Sequence, residues 1–321
     1  MEEKLQFNSI IQILQLYFDI MKKGKGKGQI NTLKKQIKFI FRTIVYLPFS
    51  LQVGEFILKH EKLKNNIFGY PMLISKVHRP YLVKNLKTNE KVKSIIESYK
   101  FIDAFFPVEL NDELYKNGKI LLSHFPVKDG SFYKIYLCIY TNFEKEGEIN
   151  IKLTDSYENI IGTLTFGIIK QKDKKTILIG GLQGASKDLN EEYIKNCTKN
   201  MYGLFPKKLL FEALCFLEKA TKINFTKAAT GNSTHIYTSE RYTSRRIIHS
   251  DYDSFWKTLN ATQLENKLWY FPKSIKRKSL EEIPSKKRSQ YQKRYNLLDS
   301  IEEDILNKFK GEENENTDNT F

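Results

Sequence analysis

From about residue 131 the apolar residues of this 321-residue chain switch to a period of two, and that switch constrains the fold more than any other feature. FYKIYLCIY (132–140), EINIKLTD (148–155), GTLTFGIIK (162–170) and TILIGG (176–181) are four strand-length segments separated by turn-like stretches. Connections this short make neighbouring strands antiparallel. DLNEEYIKNCTKNMYG (188–203) then reads as a helix opened by Asp188 or Asn190 and closed at Gly203. FPKKLLFEALCFLEKATK (205–222) reads as a second helix, with Pro206 in its first turn and Leu209, Leu210, Ala213, Leu214 and Leu217 on one face. INFTKAAT (223–230) returns as a strand. The expected class is α/β of the α+β kind: an antiparallel-rich mixed sheet flanked by helices.

Upstream the pattern is helical. Residues 1–22 and 30–48 read as amphipathic helices around the flexible basic linker KKGKGKGQ (22–29). The second carries Lys34, Lys35, Lys38 and Arg42 beside Ile37, Phe39, Ile40, Phe41 and Ile44, and such a helix either lies on an anionic membrane or packs its apolar face on a neighbouring domain. The expected division is therefore 1–48, a mostly helical 49–125 interrupted at Pro80, an α/β core over 126–272, a basic-to-acidic helix over 273–310 and an acidic tail over 311–321. Lys and Arg number 53 against 37 Asp and Glu, a formal charge of +16 that favours anionic partners. Tyr291 and Tyr295 sit among basic residues as in nucleic-acid patches, but a helix with Tyr295, Leu297, Leu298, Ile301 and Ile305 inward explains the same residues, so nucleic acid is not the expected partner. Cys138, Cys197 and Cys215 form no CxxC and read as free thiols in a reducing compartment. MEEKLQFNSI lacks the basic and apolar regions of a secretory signal, and no apolar run is long enough to span a bilayer, so a cytoplasmic location is expected.

A meander, a helix and a further strand, in that order, resemble the core of the GNAT-like acyltransferases. In that fold the strands on either side of the helix splay apart and acyl-pantetheine lies in the gap, with its pyrophosphate at the helix N-terminus. Gly180 and Gly181 match neither nucleotide-binding glycine pattern and would instead mark a bulge where backbone approaches a ligand. The resemblance places Gly180, Gly181 and Gln183 along the cleft of an acyl-CoA or acyl-carrier-protein donor, with Gly203 and Lys207 of YGLFPKK at its phosphate end. Two departures stand against it: the extra helix at 188–203, and the absence of a helix between the first two strands.

IGGLQG (179–184), TKNMYGLFPKKLLFEAL (198–214), HIY (235–237), DYDSFW (251–256) and KKRSQYQKRYNLLD (286–299) resemble, in this order, the VirK/YbjX family of Gram-negative bacteria. HRPYL (78–82), SYKFI (98–102) and EGEINIKL (146–153) extend the similarity over roughly residues 45–305. The resemblance implies a cytoplasmic protein linked to virulence, outer-membrane or lipid A homeostasis and antimicrobial-peptide resistance, without a settled reaction. An acyltransferase acting on an envelope lipid or protein is one expectation. A non-catalytic basic adaptor at the anionic inner-membrane surface is the other.

The densest polar stretch, ATGNSTHIYTSERYTSRRIIHSDYDSFW (229–256), follows the last strand, where ligands of open α/β sheets usually sit. His235 is either a general base, its tautomer held by Asp251 or Asp253, or a hydrogen-bonded structural histidine. Asn232, Arg241, Arg245 and Arg246 are expected to bind substrate anions, as guanidinium groups do bidentately, or to face solvent. Asp251 and Asp253 lack a third partner at useful spacing, so no metal is expected.

Overall fold

The structure, a computed structural model, describes residues 7–310 apart from 26–27, 141–142, 172–173, 187 and 244–250. Six helices come first: α1 (Phe7–Lys23), α2 (Leu33–Val45), α3 (Leu47–Lys59), α4 (Glu61–Asn66), α5 (Thr88–Phe105) and α6 (Val108–Asn117). Thr32 caps α2 by accepting the Lys35 N–H, and Pro48 sits in the first turn of α3. The single helix expected over 30–48 is thus two, bent by 102° at Tyr46. Gly118, with φ of +70°, ends α6 in the left-handed conformation that glycine favours.

Strands β1 (Lys119–Pro126), β2 (Phe132–Cys138), β3 (Ile149–Thr154), β4 (Ile160–Gln171) and β5 (Lys174–Gln183) form an antiparallel meander. The sequence pattern does not reveal β1, which lies in the stretch expected to be helical. Its Ile120-Leu121-Leu122 run breaks the alternation because a register shift falls between Leu121 and Ser123. Helices α7 (Glu191–Asn200) and α8 (Pro206–Ala220) lead to β6 (Thr226–Ala229), which pairs parallel to β5. The short α9 (Glu240–Thr243) and α10 (Tyr252–Thr258) precede the two-residue strands β7 (Thr262–Gln263) and β8 (Trp269–Tyr270), and α11 (Ser285–Lys310) closes the order. The eight-stranded mixed sheet runs β1-β2-β3-β4-β5-β6-β8-β7.

Helix α5 packs on β4 from one face: the Ser98 hydroxyl accepts the Ile168 N–H at 2.9 Å, and Gly167 lies under Ser94 and Ser98. Helix α8 packs on the other face, with Leu210 over Gly162. Two-sided cover explains why β4 and β5 are buried along nearly their whole length and read as continuous apolar runs. Leu209, Leu210, Ala213, Leu214 and Leu217 are all buried, each large side chain contributing about 1.5–3 kcal/mol. Helix α11 lies across α8 and β1, where Asp304 accepts the Ser123 hydroxyl at 2.5 Å.

The two halves are joined by a buried ion pair. Lys76 reaches Glu148 at 2.6 Å with both side chains about 3% exposed or less, and the Tyr99 hydroxyl donates to the other Glu148 oxygen at 3.0 Å. Burial first, then the Glu148 charge, holds the Tyr70, Tyr81 and Tyr99 hydroxyls protonated.

The glycine run has a steric explanation. Thr165 opposes Gly181 and Phe166 opposes Ile179, so Gly180 is an extra residue in β5. A Cβ at Gly180 would stand 2.0 Å from the Glu146 carbonyl oxygen, and one at Gly181 would stand 2.0 Å from the Glu146 carboxylate. A Cβ at Gly184 would meet nothing within 4 Å. Gly180→Ala is therefore expected to cost about 3 kcal/mol, at the upper end of overpacking, and Gly184→Ala to be near neutral. Urea midpoints of the two variants check the contrast.

Candidate active site

Strands β5 and β6 are paired as far as Ile179 and Ala229 and then part. The Thr230 N–H still reaches the Ile179 carbonyl at 2.9 Å, and its hydroxyl reaches the Gly180 carbonyl at 3.0 Å. Beyond that point the sheet partner of β5 is replaced by side chains: the Tyr252 hydroxyl lies 3.5 Å from the Leu182 N–H. Trp256 donates its indole N–H to the Thr230 carbonyl at 2.8 Å and braces α10 against the fork.

At this fork stands Glu146, which the sequence reading did not single out. It projects from the β2–β3 connection, held by its own N–H to the Phe143 carbonyl (2.8 Å) and by the Leu82 N–H to the Lys145 carbonyl (2.7 Å). Its carboxylate is fully buried and accepts from the Gln183 amide at 2.7 Å. Gln183 also lies 3.4 Å from the Tyr252 hydroxyl. Gly180, Gly181, Gln183 and His235 thus converge with Glu146 and Tyr252 around one point.

His235 is 1% exposed, and its ring stacks on Tyr252 with centroids 5.0 Å apart and planes at 16°. Its Nδ1 accepts the Tyr237 N–H at 3.3 Å. The neutral ring therefore carries its proton on Nε2, by the hydrogen-bond pattern. That nitrogen faces Glu146 Oε1 at 3.6 Å, beyond hydrogen-bond length, and has no hydrogen-bond partner among the described residues. Burial pushes the imidazole down to about 4. In this geometry His235 is a donor, and the group able to take a proton is Glu146. Tyr252 is kept protonated by burial and then by the Glu146 charge.

The other expected residues have different places. Asp251 does not reach the imidazole: it caps α10, accepting from the Ser254 N–H (3.1 Å), the Ser254 hydroxyl and Asn232 (2.8 Å), contacts that hold its carboxyl at about 2. Asp253 accepts from the Asn232 N–H (2.9 Å) and the Trp269 indole (2.7 Å). Asn232 accepts in turn from the Tyr252 N–H at 2.8 Å, so these three residues clamp the 231–232 turn to α10 and thereby place Tyr252. The carboxylate that faces His235 is that of Glu146, because Asp251 is engaged in capping α10 and Asp253 in holding the Asn232 N–H and the Trp269 indole. Arg241 donates to the His78 carbonyl at 3.0 Å. Arg245 and Arg246 lie outside the described residues.

Gly203, with φ of +76°, ends α7, its N–H reaching the Thr198 carbonyl at 2.8 Å. The turn is covered by α11: a Cβ on Gly203 would stand 2.7 Å from both Arg294 and Gln290, and Arg294 donates to the Tyr202 carbonyl. Lys207 is half-buried, which lowers its amine. Among the described residues no three His, Cys, Asp or Glu side chains cluster as a metal site.

Comparison with known proteins then places the chain. Residues 28–307 match the family model described as "Protein of unknown function (DUF535)". The chain belongs to this family. It is 31% identical over 276 residues to "Uncharacterized protein YbjX" of Escherichia coli K12, covering 85% of this chain and 83% of that protein. An "Uncharacterized protein" of Haemophilus influenzae is 27% identical over 225 residues, or 69% of this chain and 72% of its own length. No solved structure gives a significant match. The E. coli relative bears out the YbjX half of the family resemblance; the fork of this DUF535 chain falls within the matched region.

His78, buried and pushed down to about 4 by desolvation and then by Arg42, Arg79, Arg241 and Lys91, behaves like His235. Folded, both rings stay neutral down to about pH 4; unfolded, they take up protons near 6.5. The contribution of these two histidines to stability is thus complete above about pH 6.5 and falls as the pH drops through the window to 4. His235→Gln is expected to reduce the slope of unfolding free energy in that window by up to roughly 1.4 kcal/mol per pH unit, one proton's worth. Denaturant melts at stepped pH measure it. Asp251 titrates below the window.

Proposed function

We propose that the chain is an acyltransferase of the GNAT-like kind, moving an acyl group from acyl-CoA or acyl carrier protein to a hydroxyl or amine of an envelope lipid or protein. The observation that carries this reading is the fork: a meander, a helical crossover and a parallel strand that pairs for four residues and then leaves β5. Past the fork, among the described residues, the Gly180 carbonyl and Leu182 N–H meet side chains on that side, those of Thr230 and Tyr252. The amides of a pantetheine arm offer the same donors and acceptors and would take the places of the Thr230 and Tyr252 hydroxyls there.

The chemistry follows from the groups at the fork. As the acceptor attacks the thioester carbonyl, Glu146 takes its proton; the new C–O or C–N bond forms and the C–S bond breaks. Tyr252, protonated and beside Gln183, supplies a proton to the departing sulfur, so the net transfer is from acceptor to thiol. His235 presents its Nε2–H 3.6 Å from the Glu146 carboxylate.

Glu146→Gln keeps an oxygen for the Gln183 amide and removes the base. Transfer from acyl-CoA or acyl carrier protein is expected to fall by roughly 10²–10⁴, with donor affinity in calorimetry unchanged. Tyr252→Phe keeps the stack on His235 and should shift stability by only about 1 kcal/mol while slowing turnover by at most about 10². The rival reading, a non-catalytic basic adaptor, predicts that neither donor binds. Absence of binding by both donors, or full activity in Glu146→Gln, would discard the acyltransferase assignment.

A further inference from the structure

Helix α2 is inside out. Leu33 (72% exposed), Ile37 (58%), Ile40 (47%), Phe41 (66%) and Ile44 (64%) all face outward, and the only buried residues of the helix are Phe39 and Thr43. At 100° per residue those five fall in one arc of about 100°, with Lys34 at its edge and Lys38 about 60° beyond. Phe39 docks the helix inward, with its ring 6.0 Å from Tyr17 of α1 and 5.5 Å from His78. Helix α1 has an outward stripe of its own: Ile11, Leu14 and Phe18 are exposed, and Lys22 continues the stripe with its ammonium 4.2 Å from the Phe18 ring. No single helix among the described residues is long and apolar enough to cross a membrane. Together α2 and α3 reach the composition of a span but are bent by 102°, and α3 buries Ser50, Val53, Gly54 and Ile57 in the protein.

The inner end of α2 meets a concentration of positive charge. Arg42, Arg79, Lys91 and Arg241 all act electrostatically on His78, and Arg79 feels both Arg42 and Arg241. Lys91 donates to the Arg79 carbonyl and Arg241 to the His78 carbonyl, each at 3.0 Å, so the cations hold backbone oxygens there. His78 is 5% exposed and its Nε2 has no hydrogen-bond partner among the described residues. Like charges gathered beside an apolar face match the two layers of an anionic lipid surface, acyl chains and phosphates. A second copy of this chain would bring the same lysines and a further +16 of charge against them.

We infer that α2 lies in the interface of an anionic bilayer, its Leu33–Ile37–Ile40–Phe41–Ile44 face among the acyl chains and the Arg42–Arg79–Lys91–Arg241 cluster on lipid phosphates. The inference stands apart from acyl transfer. It joins that reading only through position: the Arg241–His78 contact and the Lys84 N–H to the Thr234 carbonyl (2.8 Å) tie the cationic cluster to the segment carrying His235.

Flotation of the full chain with vesicles tests it. Wild type is expected to float with phosphatidylcholine mixed with phosphatidylglycerol and to stay behind with phosphatidylcholine alone. Ile37→Asp combined with Phe41→Asp alters only exposed side chains, so it should fold normally by circular dichroism and weaken vesicle binding at least tenfold. Arg42→Gln should weaken binding to the anionic vesicles roughly fivefold. Equal flotation by the double aspartate variant would overturn the inference, as would failure of wild type to float. So would a wild-type dimer in light scattering that the variant dissociates while vesicles remain unbound, because the face would then be a contact between copies.

Discussion

A carboxylate resting on bare backbone organises this molecule. Glu146 occupies the space that side chains would fill at positions 180 and 181, and it does so without any exposure to solvent. Four segments distant in sequence meet there: the backbone at Leu82, the β2–β3 connection, the bulge of β5 and the turn that carries His235. The glycines do not cradle a phosphate. They admit another part of the same chain at the point where β5 and β6 part.

Burying acids in a chain with an excess of bases has a consistent logic. Glu144, Glu146 and Glu148 alternate in EKEGE and are all buried, at 4%, 0% and 2% exposure. Removing one partner from a buried pair such as Lys76–Glu148 costs about 3–5 kcal/mol, because the other charge is stranded. The pair therefore fixes how the helical half meets the sheet more than it adds to total stability. The free thiols Cys138, Cys197 and Cys215 add no covalent link, so packing and these polar contacts alone hold the halves together.

Much of this was legible in the sequence, for physical reasons. The four segments from 132 to 181 and the crossover helix 206–220 are strongly patterned, so burial follows local pattern, by alternation in β2 and by continuous apolar runs in β4 and β5. The convergence of Gly180, Gly181, Gln183 and His235 could be read from strand order. What was not legible depended on contacts between distant residues. Strand β1 hid behind a bulge, and the turn at Tyr46 divided a helix that periodicity alone would continue. Asp251 and Asp253 look like partners for His235 only until the α10 cap is seen to use the first and the Trp269 indole the second. Glu146 gave one signal, its place in EGEINIKL ahead of an apolar strand, but a charged residue before a strand ordinarily reads as a solvated turn.

The hydrogen bond between Ser123 and Asp304 joins residues 181 positions apart. It lies where the last long helix covers the first strand of the sheet, so the outer side of β1 and α8 stays uncovered until α11 has been made. During synthesis the sheet must wait, its apolar side open to other chains, for α11 to leave the ribosome. Closing so large a loop is slow by topology, whatever the final stability. A chain interrupted before residue 297 would lack Leu297, Leu298, Ile301 and Ile305, the plug that ends that exposure.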